Sequence, residues 1–217
     1  MKILITGTSR GIGKAIAEMF LKKGHEVFGI DREEASIEDK SYTHYRMDIR
    51  DYDRLPDIEG VNILINNAGT QNGDDMDINL KGAHTYNGEI RVQKNIRSIL
   101  NIGSASAHTG SEFPEYCASK GRRYGVHENT AMRVASFGAT CNSLDPGGVL
   151  TPLNAVRYER RGALGTDNGR DSVKTVGDAG RNSRMAFFLT VVNTFCTGQS
   201  IIVDGGECIK HNFVWKD

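Results

Sequence analysis

The first thirty-one residues constrain the fold more than any other stretch of the chain. Met1 to Thr6 is a short apolar run; Gly7, Gly11 and Gly13 follow in ITGTSRGIG, and the amphipathic stretch KAIAEMFLKKG comes next. The run is too short for the apolar region of a secretion signal and has no cleavage site, so it reads as a buried first strand. Apolar residues in the stretch recur near helical spacing, and Gly24 supplies a stop. A second apolar run, HEVFGI, ends at Asp31. Strand, glycine turn and helix place backbone N–H groups and a helix N-terminus where a pyrophosphate can sit, without a Cβ in the way. Asp31 stands about twenty residues further on, where a carboxylate meets an adenosine ribose. The glycine spacing is G-x-x-x-G-x-G, not the commonest fingerprint, and alone it is a weak signal that a plain structural turn would also satisfy.

Strand and helix signals then alternate along the chain, which argues for an α/β fold. We expect one domain holding a doubly wound parallel sheet of about seven strands, with helices on both faces. The strands are predicted at residues 2–6, 26–31, 43–49, 61–66, 98–104, 138–144 and 199–204, and the helices around 11–23, 75–96, 115–136 and 178–193. The link IRDYDRLPDIEG, between Asp48 and Val61, contains a proline and is short for a crossover helix; the link from Gly69 to Asn79 is also compressed. Residues 151–177 form the longest segment without periodicity, rich in glycine and charge, and read as mobile.

The chemistry concentrates in one stretch. Tyr116 and Lys120 lie four residues apart in EYCASK, and Ser104 ends an apolar strand twelve residues before the tyrosine. Four residues is slightly more than one helical turn, so Tyr and Lys project from one helix face. An ammonium beside a phenol favours the phenolate, bringing proton exchange nearer neutral pH than the usual value of about 10. Proton exchange beside a nicotinamide is what carbonyl reduction or alcohol oxidation needs. Ser106, on the same sheet face as Ser104, is the competing serine.

These features sit among others in a fixed order: Asp48-Ile49, Asn66-Asn67-Ala68-Gly69, Asn79 in DINLKG, PGGVLT from Pro146 to Thr151, and IIVDGG. In that order they make the chain resemble the short-chain dehydrogenase/reductase family nearly end to end. The resemblance implies a Rossmann fold and hydride transfer between a nicotinamide cofactor and a ketone or secondary alcohol. By that resemblance Ser104 hydrogen-bonds the substrate oxygen and Tyr116 is the general acid or base. Lys120 supports the tyrosine and binds the nicotinamide ribose, while Asn79 holds a relay water. Gly7, Ser9, Arg10, Gly11, Ile12 and Gly13 line the pyrophosphate, and Asp31 and Arg32 the adenosine ribose. Asp48 and Ile49 frame the adenine, and Asn67, Ala68 and Gly69 pass beneath the ribose. Pro146, Gly147, Val149 and Thr151 hold the carboxamide. The Ser104-to-Tyr116 segment is one residue shorter than the family pattern.

Asp31 repels a 2′-phosphate and favours NAD; Arg10 and Arg32 could offset that repulsion, so NADP stays open. A 3-oxoacyl-thioester reductase using NADPH is the alternative within the enzyme class, and a non-catalytic dinucleotide-binding regulator the alternative outside it. The resemblance implies that residues 151–177 cover the substrate as a lid; there Arg157, Arg160, Arg161, Arg170 and Lys174 outweigh Glu159, Asp167 and Asp171, which fits a solvated flexible loop and would also suit a substrate phosphate or carboxylate. Leu150, Leu153 and Val156 are its apolar candidates for a pocket wall. The resemblance implies a homo-oligomer, a dimer or tetramer, although Arg122, Arg123, His127 and Glu128 put charge on the helix that the family uses as an apolar interface.

Other classes find no support. Lys plus Arg and Asp plus Glu both number 27, so no net field points to nucleic acid or a membrane surface. No apolar stretch approaches the roughly 20 residues of a membrane span. Cys117, Cys141, Cys196 and Cys208 form no CxxC and read as free thiols in the cytoplasm. The six histidines have no metal-ligand spacing. Ser, His and Asp are all present, but His108 has no recognisable partner, against a serine hydrolase.

Overall fold

The apolar runs are buried on both faces, and strands of that kind pair in parallel beneath two layers of helices. A computed structural model describes residues 1–71, 74–82, 94–110, 113–121, 123–151 and 177–209. The strands are β1 (Lys2–Thr6), β2 (Glu26–Asp31), β3 (Tyr42–Arg46), β4 (Ile63–Asn66), β5 (Ser98–Ile102), β6 (Thr140–Pro146) and β7 (Ser200–Val203). All neighbours are parallel, in the order β3-β2-β1-β4-β5-β6-β7. Alternation along each strand divides the core. Leu4, Leu64, Ile99 and Cys141 face one layer with Val134. Ile3, Ile5, Ile65 and Leu100 face the other, with Ile16 and Phe20 of α1 (Gly11–Lys22).

Further helical segments among the described residues include α2 (Met76–Gly82), α3 (Ser106–Thr109), α4 (Pro114–Gly121), α5 (Arg123–Val134) and α6 (Ala179–Phe187). In α1 the residues Gly13, Ile16, Ala17 and Phe20 repeat at helical spacing and are all buried. Asp178 caps α6, its carboxylate accepting the Arg181 N–H at 2.8 Å. Two turns are widened to π geometry: α2 itself, and Phe188–Val192, which extends α6. Between Asp48 and Val61 only one 3₁₀ turn forms, Tyr52–Arg54, as the proline-bearing link implied.

The predicted strands, and the helices expected around 11–23, 115–136 and 178–193, are present with shifted ends. The 43–49 strand stops at Arg46, the 138–144 strand runs two residues further to Pro146, and the 98–104 strand stops at Ile102. Most of the expected 75–96 helix lies outside the described residues. So do Arg122, Leu153, Val156 and the charged positions of the 151–177 lid. His127 is a correction to the charged-helix expectation: at 1% exposure it points inward and is not part of a surface charge cluster. Among the described residues no helix is long and apolar enough to cross a membrane, and no group of His, Cys, Asp and Glu could hold a metal ion. Cys117, Cys141, Cys196 and Cys208 are free thiols.

Candidate active site

Neighbouring connections diverge between β1 and β4, because β2 flanks β1 on one side and β4 on the other. In open α/β sheets that crevice, at the carboxyl ends of the strands, is where ligands bind. Here Asn67 stitches its two walls together. Its side-chain amide donates to Thr6 O at 2.9 Å and Gly7 O at 3.0 Å, while the Asn67 and Ala68 N–H groups both donate to Thr6 Oγ1 at 3.0 Å. The Asn67 amide hydrogens are thereby committed to the glycine turn. Gly7 has φ +76°, and a Cβ on Gly13 would lie 2.0 Å from Gly7 O, so the turn closes only with glycine at both positions.

Asp31 is fixed at the end of β2, accepting the Ser9 N–H at 2.9 Å and the Glu33 N–H at 3.0 Å. Ser36 Oγ donates to Ser9 O at 2.6 Å, which straps the connection after β2 across the turn. Arg10 pairs with Glu33 at 3.1 Å, and Thr8 Oγ1 meets Tyr42 Oη at 2.8 Å. The buried Ser9 hydroxyl has no hydrogen-bond partner among the described residues. Such an orphan costs about 1–3 kcal/mol, which a phosphate or ribose oxygen in the turn would relieve. Close-packed glycines, an orphaned hydroxyl and an oriented carboxylate together fit a dinucleotide.

The proton-exchange side is built from buried side chains. Lys120, on α4, is 5% exposed; its Nζ donates to Ile102 O at 3.1 Å and lies 5.8 Å from the Tyr116 ring centroid. Gly69 lets this group in, because a Cβ there would be 3.2 Å from Lys120 Nζ and 2.9 Å from Asn79 Oδ1. Asn79 sits in the widened turn α2. Its Oδ1 accepts the Thr70 N–H at 2.9 Å, and its Nδ2 faces Thr70 O, Asp75 Oδ1 and Ser119 Oγ at 3.0, 3.2 and 3.0 Å. Ser119 in turn donates to Tyr116 O at 2.8 Å. Widened turns of this kind recur at functional sites.

Ser104 follows the end of β5 by two residues. The ladder to β6 continues past it, from Gly103 N–H to Leu144 O and from Ala105 N–H to Pro146 O, both at 2.8 Å. Its Oγ accepts the Ser106 N–H at 3.2 Å, which leaves its own hydrogen to donate. Ser106 therefore acts on Ser104 through its main chain. The partner that the sequence did not reveal for His108 is Asp145, at 2.7 Å. Asp145 also accepts from Ser143 Oγ, so the carboxylate stands between serine and histidine, and no hydrolase triad forms.

The other candidates divide. Asp48 is held by Arg50, whose Nη2 donates at 2.8 Å, and this pairing draws the carboxyl below its usual range. Ile49 is buried in the core beside Phe28 and Ile30. Gly148 N–H donates to Glu207 at 3.0 Å, and Val149 bridges Gly177 in parallel. Thr151 faces the start of α1, at 3.5 Å from where a Gly11 Cβ would be. Arg50, Ser119, Asp145, Gly177 and Glu207 carry no local motif. All but Arg50, which grips its near neighbour Asp48, are brought in by a partner distant in the chain.

Comparison with known proteins agrees with this geometry. A family profile described as short chain dehydrogenase matches residues 1–162. The chain is 28% identical over 237 residues to a 3-oxoacyl-acyl-carrier-protein reductase of Buchnera aphidicola subsp. Acyrthosiphon pisum, covering 93% of this chain and 95% of that one. It is 31% identical over 185 residues to a D-beta-hydroxybutyrate dehydrogenase of Rhizobium meliloti, covering 69% and 72%. In fold it is similar to Thermoplasma acidophilum aldohexose dehydrogenase, with TM-score 0.88 at 24% identity over 100% of this chain and 97% of the other. The profile spans about three quarters of the sequence, and this chain belongs to the short-chain dehydrogenase family of nicotinamide-dependent oxidoreductases.

Proposed function

We propose that Tyr116 exchanges the proton of a small ketone or secondary alcohol, while Ser104 donates a hydrogen bond to the same substrate oxygen. The observation that carries this reading is the buried Lys120 ammonium against Tyr116, anchored on Ile102 O and admitted by Gly69. An ammonium beside a phenol stabilises the negative charge on the phenol oxygen while its proton is away. A bound nicotinamide would supply or take up the hydride. Gly7, Ser9, Arg10, Gly11, Ile12 and Gly13 would hold its pyrophosphate, and Asp31, Arg32, Asp48 and Ile49 its adenosine end. Pro146 to Thr151, with Lys120, would hold the nicotinamide end. The Asn79 amide hydrogens face Thr70, Asp75 and Ser119, so a relay water would meet the main chain of α2.

NAD is the favoured cofactor. Asp31 stays oriented on two main-chain N–H groups, and Glu33 draws the Arg10 charge away from a 2′-phosphate. NADP is the second reading. Arg10 and Arg32 flank the same position, and ElxO, a fold neighbour at 20% identity and TM-score 0.82, is described with NADP bound. Acyl-thioester reduction and oxidation of a small alcohol or sugar are the two substrate classes that the relatives' names suggest. A cytoplasmic homo-oligomer is part of the proposal. Phe188, Val192, Phe195 and Ile202 are exposed apolar side chains from the end of α6 to β7, and size-exclusion chromatography tests the assembly.

Tyr116→Phe tests the reading. Turnover of a ketone is expected to fall by about 10²–10⁴-fold, with NADH binding by fluorescence titration unchanged. Equal turnover by the variant and its parent would remove Tyr116 from the chemistry.

A further inference from the structure

Asp145, at the end of β6, is a carboxylate only 1% exposed, and a charge at that depth persists only with partners. Ser143 Oγ donates to its Oδ1, and His108 Nε2 lies 2.7 Å from its Oδ2. An ionised carboxylate only accepts, so Nε2 carries the hydrogen. The backbone is shaped around this group. A Cβ on Gly103 would fall 1.9 Å from Asp145 Oδ1 and 2.8 Å from Ser143 Oγ, so glycine seats the carboxylate directly against the main chain before Ser104.

Residues 103–108 therefore leave β5, pass over the Asp145 carboxylate, and return His108 to its second oxygen. Ser104 lies within this wrap. Its Oγ is oriented by the Ser106 N–H, and its carbonyl accepts the Ala107 N–H at 3.1 Å. Those donors belong to α3, a single turn of four residues that is too short to hold itself. Cys208 adds a weaker contact, its Sγ 3.8 Å from Ala105 O. Burial, with the nearby charges of Asp204, Glu207 and Asp145, pushes that thiol up to about 12, so it stays protonated and can donate.

We propose that Asp145 and His108 are positioning residues: the buried carboxylate is a post, and His108 ties α3 to it so that the Ser104 hydroxyl is held in place for the substrate oxygen. The proposal rests on the reading of Ser104 as the substrate's hydrogen-bond donor. Neither group touches the substrate; both act through the main chain of α3.

The test compares the parent with His108→Ala and His108→Gln, alone and in a Ser104→Ala background. Three readouts serve: hydrogen exchange in residues 103–110, NADH affinity by fluorescence, and steady-state reduction of ethyl acetoacetate. His108→Ala should speed exchange in 103–110 and lower kcat by about tenfold each, the loss of one charge-assisted hydrogen bond, with NADH affinity unchanged. His108→Gln keeps an N–H donor and should restore most of both. In the Ser104→Ala background, His108→Ala should cost no further kcat, because the coupling runs through that hydroxyl. Unchanged exchange in His108→Ala overturns the proposal, as does an undiminished kcat where the parent is active. A parent that binds NADH but reduces no ketone counts against the proposed reaction alone. The clamp then stands or falls on the exchange data and their rescue by His108→Gln.

Discussion

The turn after β1 and the turn after β5 leave the same edge of one sheet, yet they are built by opposite means. The first is shaped by missing side chains: Gly13 lies against Gly7 O, and main-chain groups of Thr6, Gly7 and Ser9 meet Asn67 and Asp31. The second, with the loop after β4 beside it, is shaped by polar side chains: buried Lys120 on Ile102 O, buried Asn79 on Thr70 and Ser119, and His108 on the buried Asp145. A substitution in the first adds atoms where none fit; in the second it strands a partner without its hydrogen bond. The first kind of damage falls on ligand binding, the second on stability and turnover.

Gly13→Ala should separate the two regions most sharply. Its Cβ meets a main-chain oxygen that cannot move aside, so NADH affinity should fall by more than about 100-fold, roughly 3 kcal/mol, an amount typical of backbone strain at a constrained site. Fluorescence titration checks it, and retained affinity would show that the turn can shift. Asn79→Asp tests the opposite region. Replacing the amide donors by a second carboxylate beside Asp75 should cost about 1–3 kcal/mol in urea unfolding and slow turnover, with little change in NADH affinity.

Asp31→Ala is expected to move cofactor preference rather than stability. The NADH-to-NADPH affinity ratio should shift towards NADPH by about tenfold, the worth of one charge-assisted hydrogen bond. A ratio that stays put would transfer the selection to Arg10 and Arg32. The smallest effect is expected at Tyr42, which supports the glycine turn through Thr8. Burial raises its hydroxyl above the ordinary 10.0, so the folded state favours the neutral phenol. That stability is complete below about pH 10 and is lost as pH rises through the raised value. Tyr42→Phe should therefore flatten the alkaline limb of a thermal-melt profile while costing about 1 kcal/mol at neutral pH. An unaltered alkaline limb would mean that another group carries it.

How much of this was legible in the sequence follows the same division. The glycine turn, the end of β2 at Asp31 and the Tyr116–Lys120 helix face all rest on residues close in the chain, where spacing alone dictates geometry. Strand ends drifted by a few residues because they depend on pairing. β6 reaches Pro146 since β7 is there to meet it, with Pro146 opposite Val203. What stayed hidden was the long-range pairing of polar groups. Asp145 is 37 positions from His108, and Glu207 is 59 from Gly148, with no motif joining either pair. Asn67 was placed in the right loop, but nothing local could show that its amide hydrogens would go to Thr6 and Gly7.

The parallel bridge between Val149 and Gly177, with Leu150 N–H donating to Gly177 O at 3.0 Å, has a consequence for how this scaffold can diversify. The two residues meet outside the seven strands, so the chain between them leaves and returns at one point as a closed excursion. Doubling the length of such an excursion costs only about 0.6 kcal/mol in closure entropy. Descendants of this chain can lengthen or shorten that excursion at small entropic cost while the sheet, the glycine turn and the Tyr116–Lys120 helix are inherited unchanged.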